Sequence, residues 1–328
     1  MSNKLSRRNF IGVSTAALAG ASLASSCSTP SCPTVPGIHE FGSKFGGVQV
    51  GAITYSWRSM PGGLENIIKY CKETGISSLE LMSGDLEMFL GAPPRPNLRI
   101  PRGVAPTPEE RAIFEQFAAD LKAFRLGVTP AKVAAAKKLF DDVGIGVHIV
   151  KFSPARWSPE EIDYSFATTK AMGAIANCEE VGESAAKALA PHAEKHGMYI
   201  LMHNHGQFAQ PDFDIDRVLD VSPAVMLNFD VGHYYGSTGL CPAEFIKKYH
   251  SRIYSLHIKD KTGPETEPRD ANQVWGQGET PLEKVMLLLK KEGWPIYADI
   301  ELEYQVKPWS NAIKETRTCV QYLRNILI

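Results

Sequence analysis

The sequence has no excess of charge of either sign. Its 328 residues carry 35 lysines and arginines against 36 aspartates and glutamates, which gives a formal net charge of -1. A protein that binds nucleic acid or an anionic membrane surface usually shows a basic excess, so we expect no nucleic-acid partner. With 44% hydrophobic and 22% charged residues, the composition is ordinary for a globular enzyme with a large core.

Closely spaced cysteine pairs are also missing. The sequence contains six cysteines and no CxxC pair. Four of them fall in the body of the chain, each among apolar neighbours. We therefore expect buried free thiols, although an exported location would also permit a disulfide. These four residues are Cys71, Cys178, Cys241 and Cys319.

The hydrophobic run near the N-terminus is too short for a membrane span. Residues 11–24 are weakly apolar, rich in small residues, and closely follow the arginine pair Arg7-Arg8. This pattern predicts a twin-arginine export signal over residues 1–27; the alternative is a disordered tail with a chance arginine pair. The signal predicts export to the periplasm or cell envelope.

Cys27 follows a short Ala24-Ser25-Ser26 stretch that loosely resembles a lipid-attachment site. Lipid attachment, which would make the protein a lipoprotein, and ordinary cleavage both remain open. A lipid anchor would be the one expected contact with a membrane. Residues 28–47 contain several prolines and glycines and are predicted to form a flexible linker.

No glycine-rich phosphate loop follows the first predicted strand, where the sequence reads Ser56-Trp57-Arg58. A doubly wound open sheet usually carries such a loop there. From residue 48 onward, eight strand-like and eight helix-like segments alternate. This rhythm predicts an α/β fold, a (β/α)8 TIM barrel forming a single domain over residues 48–328. The predicted strands cover residues 48–56, 78–82, 145–152, 174–178, 199–203, 225–230, 253–259 and 296–301.

An insertion interrupts the unit after the second strand, at about residues 84–129. Its first part is rich in proline and its second part has helical spacing. Because it follows a strand, it is expected on the active-site face, where it would act either as a lid or as a solvated decoration.

Polar and aromatic side chains collect at the predicted carboxyl ends of the strands. TIM-barrel active sites lie at this end of the barrel, so we expect these side chains to form the functional site. They are Trp57, Glu80, Lys151, Glu179, His203, His205, Asp230, His233, His257, Lys259, Glu301 and Glu303.

Several of these residues are suited to binding a metal ion. Alternate residues of a barrel strand point inward, so His257 and Lys259 share a face. Asp230, His257 and a glutamate of the last strand form a mixed nitrogen and oxygen set that suits Mn, Co, Zn or Mg. Four neighbouring strands that all end in such residues favour one divalent metal site over separately packed polar side chains.

Other strand-end residues are predicted to contact the substrate. His233 lies in the turn beyond the sixth strand and is either a further metal contact or the partner of a substrate hydroxyl, which we favour. His205, Glu80 and Trp57 are also placed at the substrate, and Trp57 would stack on a sugar ring unless it only forms part of the wall.

A loop after the seventh strand resembles a phosphate-binding loop, or phosphate cradle. Its sequence is Gly276-Gln277-Gly278-Glu279-Thr280-Pro281. A better explanation is a helix start, in which Thr280 and Glu283 form a capping box with Pro281 at the first helical position.

Taken together, these residues resemble those of the xylose-isomerase-like TIM barrels, the sugar phosphate isomerase/epimerase superfamily. The resemblance covers about residues 48–328. Its marks are the DxxH of residues 230–233, the LHxKD of residues 256–260, the GxGxTPL of residues 276–282 and the terminal pair Glu301 and Glu303.

The resemblance implies a divalent metal held by Glu, Asp, His and Glu from four consecutive late strands. Carried over to this sequence, Asp230, His257 and Glu301 match the last three ligands, and His203 stands where the family has its first glutamate. Family epimerases use both glutamates as bases on opposite faces of an enediolate. The histidine therefore argues against symmetric epimerisation by two bases.

The resemblance also implies a sugar isomerase or epimerase that removes a proton next to a carbonyl through a metal-bound enediolate. The candidate bases are Glu301, Glu303, Lys259 and Lys151, the lysines only if desolvation lowers their pKa. A 3-keto-glycoside lyase or dehydratase, which works by β-elimination, is the first alternative.

Two further alternatives are weaker. A sugar-binding envelope protein without catalysis would not need buried bases, and an endonuclease-IV-like phosphodiesterase would need a basic groove. For the sugar isomerase and the lyase the partner is a small carbohydrate, free or glycosidic, and a homo-oligomer is left open.

Overall fold

The computed structural model describes residues 42–98, 100–101 and 103–328. The predicted export signal over residues 1–27, Cys27 with its lipid-attachment pattern, and most of the predicted linker lie outside the described residues.

The described chain forms a closed barrel of eight parallel strands. Strand β1 pairs with both β2 and β8, so the sheet has no free edge. The fold prediction is confirmed, and three of the eight predicted strands have the predicted bounds. The strands are β1 (Val48–Ile53), β2 (Ser78–Met82), β3 (Gly146–Lys151), β4 (Ala176–Glu180), β5 (Tyr199–His203), β6 (Val225–Asp230), β7 (Ile253–Ile258) and β8 (Tyr297–Ile300).

The strand faces explain why these segments pack as a barrel. Every residue of β5, β6 and β7 is buried, as expected for parallel strands that helices cover on the outside and side chains cover on the inside of the barrel.

Two short antiparallel pairings lie outside the barrel sheet. Lys44–Phe45 pairs with β1, and Asp260–Lys261 pairs with Asn272–Gln273.

Helices follow the strands and surround them. Several begin with proline in the first turn, and α6 and α10 end at a glycine in the left-handed region, as the sequence predicts. The α-helices in the described residues are α1 (Leu64–Thr74), α2 (Ser83–Leu90), α3 (Pro108–Gly127), α4 (Pro130–Asp141), α5 (Pro159–Ala171), α6 (Glu183–His196), α7 (Ile215–Leu219), α8 (Val231–Thr238), α9 (Pro242–Tyr249), α10 (Leu282–Glu292) and α11 (Ala312–Leu327).

The insertion after β2 contains α2, an irregular stretch and α3. Helix α3 starts with a capping box, in which Thr107 Oγ1 accepts from the Glu110 N–H and the Glu110 carboxylate accepts from the Thr107 N–H. Near its end, the buried Arg125 donates to Glu87 on α2 (2.8 Å) and to Glu161 on α5 (3.0 Å), with its guanidinium 3.5 Å from the centre of the Trp157 ring. These contacts fix α3 to the helical layer.

The predicted capping box of Thr280 and Glu283 is wrong. Helix α10 begins at Leu282, and Pro281 at its N-cap makes no side-chain cap. The Asp260 carboxylate instead accepts hydrogen bonds from the amides of Gly276 (2.8 Å), Gly278 (2.9 Å) and Thr280 (3.2 Å). The loop does cradle an anion, but the anion is a side chain of the protein itself.

The four cysteines of the body are free, and three of them are buried, as predicted; Cys241 is half-buried. Within the described residues, no helix has both the length and the apolar character needed to cross a membrane.

Candidate metal centre and active site

Four side chains from four consecutive strands converge at the carboxyl end of the barrel. They are His203 at the end of β5, Asp230 at the end of β6, His257 in β7 and Glu301 just after β8. Each offers one ligand atom, and these four atoms all lie within 4.8 Å of one another. All four residues are buried. The structure thus brings together the four residues that the sequence assigns to metal binding, and this set is called the metal centre below.

Asp230 is oriented by its neighbours on both sides. Its Oδ1 caps α8 by accepting the N–H of His233 at 2.7 Å, while its own N–H donates to Asn204 Oδ1 at 2.9 Å. Since one carboxylate oxygen is used as a helix cap, Oδ2 is left to face the other three residues. The DxxH spacing of the sequence therefore has a local structural reason.

The atoms that converge are atoms without hydrogen bonds. Among the described residues, His203 Nδ1, Asp230 Oδ2, His257 Nδ1 and Glu301 Oε2 are buried and make none. Most buried polar atoms in proteins are hydrogen-bonded, so four open atoms at one point need an explanation. Two nitrogen and two carboxylate ligands suit a divalent cation, and the residues present fit such an ion.

Lys259 lies against the metal centre. Its Nζ is 2.9 Å from Asp230 Oδ2 and 2.7 Å from both Glu301 Oε2 and Glu303 Oε2. The contacts to Asp230 and Glu301 have ion-pair distances without hydrogen-bond geometry, whereas Nζ does donate to Glu303. In the metal-free protein, this ammonium balances the charge of the carboxylates.

The two central histidines are in different electrostatic environments. Burial and the nearby charge of Lys151 hold the pKa of His203 well below its ordinary value, so its imidazole is neutral, as a ligand must be. Burial also acts against the charged form of His257, but the carboxylates of Glu301 and Glu80 outweigh it and raise the pKa of His257 to about 10. The metal-free centre therefore holds a proton on His257 at neutral pH.

The condition under which the two candidate lysines could act as bases, a pKa lowered by desolvation, is not met. Burial alone would lower both values, but the carboxylates of Asp230 and Glu301 raise the pKa of Lys259, and the acidic groups Cys178, Glu80 and Glu301 raise that of Lys151. Both side chains are ammonium groups at neutral pH. They are suited to donate protons or to bind oxygen, not to act as bases.

Glu303 is the carboxylate best placed to accept a proton. Its Oε2 accepts from Lys259, and the side chain is 18% exposed, so a substrate can reach it. Although burial acts in the opposite direction, His233 and Lys259 lower the pKa of Glu303 to about 2. The group is ionised at neutral pH.

His233 is held between two lysines. Lys259 Nζ lies 3.0 Å from its Nε2 and Lys261 Nζ lies 3.1 Å from its Nδ1. Helix α8 approaches these lysines closely at Gly232, where an added Cβ would lie 2.2 Å from the Lys259 side chain. With its ring partly exposed beside Glu303, His233 remains placed to meet a substrate.

His205 lies at the rim of the site. Its side chain is half exposed and its Nδ1 pairs with Glu180 at 2.8 Å, an interaction that raises the pKa of His205. The sequence missed Glu180 because β4 was placed two residues too early, which put Glu179 at the strand end. Glu179 instead accepts the N–H groups of Ala155 and Glu180 and supports the loop.

Two residues predicted to contact the substrate point elsewhere. Strand β1 ends at Ile53, and the following 3-10 turn directs Trp57 into the helical layer, where its indole N–H donates to Thr316 and its ring packs against Tyr70. Glu80 is fully buried behind His257, with its Oε2 2.8 Å from His257 Nε2. The prediction of substrate contact is therefore wrong for Trp57 and Glu80.

A second polar cluster lies deeper in the barrel. His148 Nε2 pairs with Asp299 Oδ2 at 2.9 Å, its Nδ1 contacts Ser78 Oγ at 2.9 Å, and Ser255 Oγ donates to Asp299. Each of three members, Asp299, Ser255 and Ser78, comes two positions before a residue near the metal centre. Because a strand rises about 3.3 Å per residue, this cluster lies about 6.6 Å nearer the amino ends of the strands. We call it the lower layer.

The fold and the site together define the class of protein. A closed (β/α)8 barrel with converging ligands and acid–base groups at the carboxyl ends of its strands has the architecture of a TIM-barrel enzyme. A family model described as "Xylose isomerase-like TIM barrel" matches residues 146–326, more than half of the chain. The chain belongs to this family, and the predicted resemblance is confirmed.

Similar proteins include both dehydratases and epimerases. An inosose dehydratase of Clostridium botulinum (strain Alaska E43 / Type E3) is 31% identical over 138 residues, which cover 36% of this chain and 46% of that protein. The match thus spans less than half of the curated relative.

Solved structures show the same fold at low identity. The probable 3-DHS dehydratase AsbF from Bacillus anthracis has a TM-score of 0.57 at 12% identity and covers 84% of this chain and 98% of its own. A D-psicose 3-epimerase has a TM-score of 0.56 at 12% identity, covering 85% of this chain and 99% of its own. These two likenesses establish the fold alone.

Proposed function

We propose that this protein is a divalent-metal-dependent carbohydrate lyase, which removes a proton next to a ketone and expels an oxygen substituent from the next carbon. The observation that carries the proposal is that the carboxylates free to act as bases lie on one side of the metal centre. Ionised carboxylates, Glu301 and Glu303, lie on the β8 side of the metal centre. The neutral His203 and the ammonium of Lys151 lie on the β5 and β3 side.

In this proposal, a bound divalent cation would polarise the substrate carbonyl and so acidify the neighbouring C–H. His203, Asp230, His257 and Glu301 would hold the cation. Glu303 accepts the proton from that C–H bond, whose electron pair forms the new C=C bond. Lys259 keeps Glu303 ionised and oriented.

Lys151 is the proposed acid. The nearby acidic groups Cys178, Glu80 and Glu301 raise its pKa against the effect of burial, and the side chain is not fully buried. When the C–O bond at the next carbon breaks, the departing oxygen takes a proton from this ammonium. Glu303 thus gains one proton and Lys151 loses one, and the electron pair of the broken C–O bond leaves with the oxygen, so the step needs no further reactant.

A sugar isomerase or epimerase is the second candidate, and it is the leading prediction from the sequence. Returning the proton to the neighbouring carbon would need only one base, which Glu303 supplies. Epimerisation by two equivalent bases is less well supported, since His203 stands at the position of the second base. A non-catalytic sugar-binding protein would have no use for buried, charged groups of this kind.

The proposed substrate is a small polyhydroxylated ketone, either a ring ketone of the kind named in the curated relative or a 3-keto-glycoside. A phosphorylated substrate is disfavoured because Asp260 already occupies the amides of the loop that resembles a phosphate cradle. The export signal predicted over residues 1–27 supports a periplasmic or envelope location, where unphosphorylated sugars are the common form.

The test is a reaction in deuterium oxide with metal-loaded protein and a panel of inososes, 3-keto-glycosides and ketoses. A lyase releases water or an alcohol and forms an unsaturated ketone with new ultraviolet absorbance. Deuterium uptake with no C–O cleavage would instead identify an isomerase. Turnover that persists in the Glu303→Gln variant would show that Glu303 is not the base.

A further inference from the structure

Glu80 faces the metal ligand His257 from across the barrel, and it is completely buried. We propose that Glu80 is a positioning residue, which holds the imidazole of His257 so that its Nδ1 lone pair is directed at the metal centre. The inference rests on the metal dependence within the proposed function. It concerns how a ligand is oriented and is independent of which reaction follows.

The orientation follows from the two faces of the imidazole. A neutral imidazole carries one N–H and one lone pair. Nε2 of His257 lies 2.8 Å from Glu80 Oε2, and a carboxylate oxygen accepts hydrogen bonds, so Nε2 carries the hydrogen. In the neutral ring that a metal ligand requires, Nδ1 then carries the lone pair, and it is this atom that faces Glu301 and Asp230. Metal-binding histidines commonly donate their second N–H to a carboxylate in this way.

Glu80 acts through His257 and does not touch the substrate. His257 Nδ1 is 2.8 Å from Glu301 Oε2 on one side of the ring, and His257 Nε2 is 2.8 Å from Glu80 on the other. The imidazole therefore stands between Glu80 and the metal centre. A substrate that reaches the metal centre meets the ring first, which excludes Glu80 as an acid or base for it.

The carboxylate of Glu80 is itself fixed. Asn228, two residues before Asp230 on β6, donates from Nδ2 to Glu80 Oε2 at 2.7 Å. Burying a carboxylate is costly unless it is hydrogen-bonded, and Glu80 receives donors from β6 and β7 at one oxygen. Three inward side chains on three strands thus define one orientation of the His257 ring.

The lower layer supplies a matched control. His148 and Asp299 form a buried imidazole–carboxylate pair with the same chemistry, in the same barrel, at a similar distance. The second nitrogen of His148 contacts Ser78 and does not face an open cluster. A substitution in this pair should lower the stability of the barrel and leave the metal affinity unchanged.

The first experiment measures the dissociation constants of Mn²⁺, Co²⁺ and Zn²⁺ by competition with a chelating dye. The Glu80→Gln variant keeps the shape but loses the charge, and we expect its affinity to fall by about 10- to 100-fold. Asp299→Asn should melt at a lower temperature and bind metal within about 3-fold of the wild type. Unchanged affinity in Glu80→Gln, or an equal loss in Asp299→Asn, would overturn the proposal.

The second experiment needs no variant and therefore does not depend on variant folding. Wild-type protein labelled with nitrogen-15 in histidine and loaded with cadmium-113 should show metal–nitrogen coupling at Nδ1 of His257, with a proton on Nε2. Coupling at Nε2 would mean that the ring is reversed, and would reject the role of Glu80. A wild type that binds no divalent cation would reject this proposal and the metal-dependent function together, whereas metal binding without lyase activity would reject only the reaction.

Discussion

Two buried layers of histidine and carboxylate side chains lie one above the other inside the same barrel. In the lower layer, both nitrogens of His148 have partners, and Asp299 is hydrogen-bonded at one oxygen. In the upper layer, which is the metal centre, four atoms from four strands point at one another and make no hydrogen bond among the described residues. The residue types are nearly the same. What separates a structural network from a metal centre is therefore the set of hydrogen bonds left unmade.

The lower layer also has a packing explanation that the upper layer lacks. The ring of Tyr297 stacks on His148 with centroids 4.0 Å apart, and Gly51 leaves room for Asp299, whose Oδ1 would lie 2.0 Å from an added Cβ. Aromatic stacking and close backbone approach are means of filling a core. The upper layer is open towards Glu303 and His233, where a substrate can enter.

The largest expected effect comes from removing a metal ligand. His257→Ala should lower metal affinity by at least about 100-fold, because it takes away one of four ligands and leaves Glu80 without its partner. Isothermal titration with Mn²⁺ or Zn²⁺ measures the change. His148→Ala in the lower layer is the control and should bind metal normally. If both variants bound metal equally well, the distinction between the two layers would be wrong.

Removing the proposed base should be the next largest effect. Glu303→Gln should reduce the turnover rate by about 10²- to 10⁴-fold and leave metal affinity within about 3-fold, since Glu303 is not a ligand. Steady-state rates on the responsive ketone, together with the same metal titration, separate the two quantities. A parallel loss of metal would show that Glu303 belongs to the metal centre.

The lower layer should contribute to the stability of the barrel and not to its activity. Asp299→Asn should reduce the free energy of unfolding by about 3 kcal/mol, because it removes a buried carboxylate that is hydrogen-bonded to His148 and Ser255. Urea denaturation of the metal-free protein gives the value. An unchanged free energy of unfolding would mean that the network contributes nothing net.

Metal binding should depend on pH through His257. Because the pKa of this residue is raised to about 10 in the metal-free protein, a cation must displace one proton at neutral pH. The dissociation constant should fall about tenfold for each pH unit between pH 6 and pH 8. Titrations in buffers of different ionisation enthalpy count the released protons, and a value of zero would contradict the raised pKa.

The smallest effect is expected outside both layers, where Asp163 on α5 pairs with His192, Lys195 and His196 on α6. Despite partial burial, these partners lower the pKa of Asp163, so its contribution is present above about pH 4 and is lost as the pH falls through the lowered value. Asp163→Asn should cost at most about 1 kcal/mol at pH 7. The unfolding free energies of variant and wild type should converge in acid.

The sequence predicted the barrel, and it grouped the four residues of the metal centre for a definite physical reason. Alternating strands and helices leave few folds open, and a parallel barrel brings every strand end to the same face. His203, Asp230 and His257 could therefore be grouped without knowledge of any contact between them. The same reasoning placed Glu303 and His233 near the site, where the structure has them.

What the sequence could not predict depends on contacts across the barrel or on small shifts at strand ends. Glu80 and His257 are 177 positions apart, and their pairing follows from the closure of the barrel. Trp57 was misplaced because β1 ends early and a single 3-10 turn redirects the indole. The raised pKa values of Lys151 and Lys259 depend on the summed charge of carboxylates from other strands, which no local pattern encodes.

Asp260 has a consequence for how the family could change its substrates. Its carboxylate is tethered beside the amides of Gly276, Gly278 and Thr280, so its effective concentration there far exceeds that of any dissolved phosphate ester. A phosphorylated sugar would have to displace an intramolecular ligand before it could use this loop. Evolution or engineering towards phosphorylated substrates would therefore begin with the loss of one aspartate, well before any change to the metal ligands.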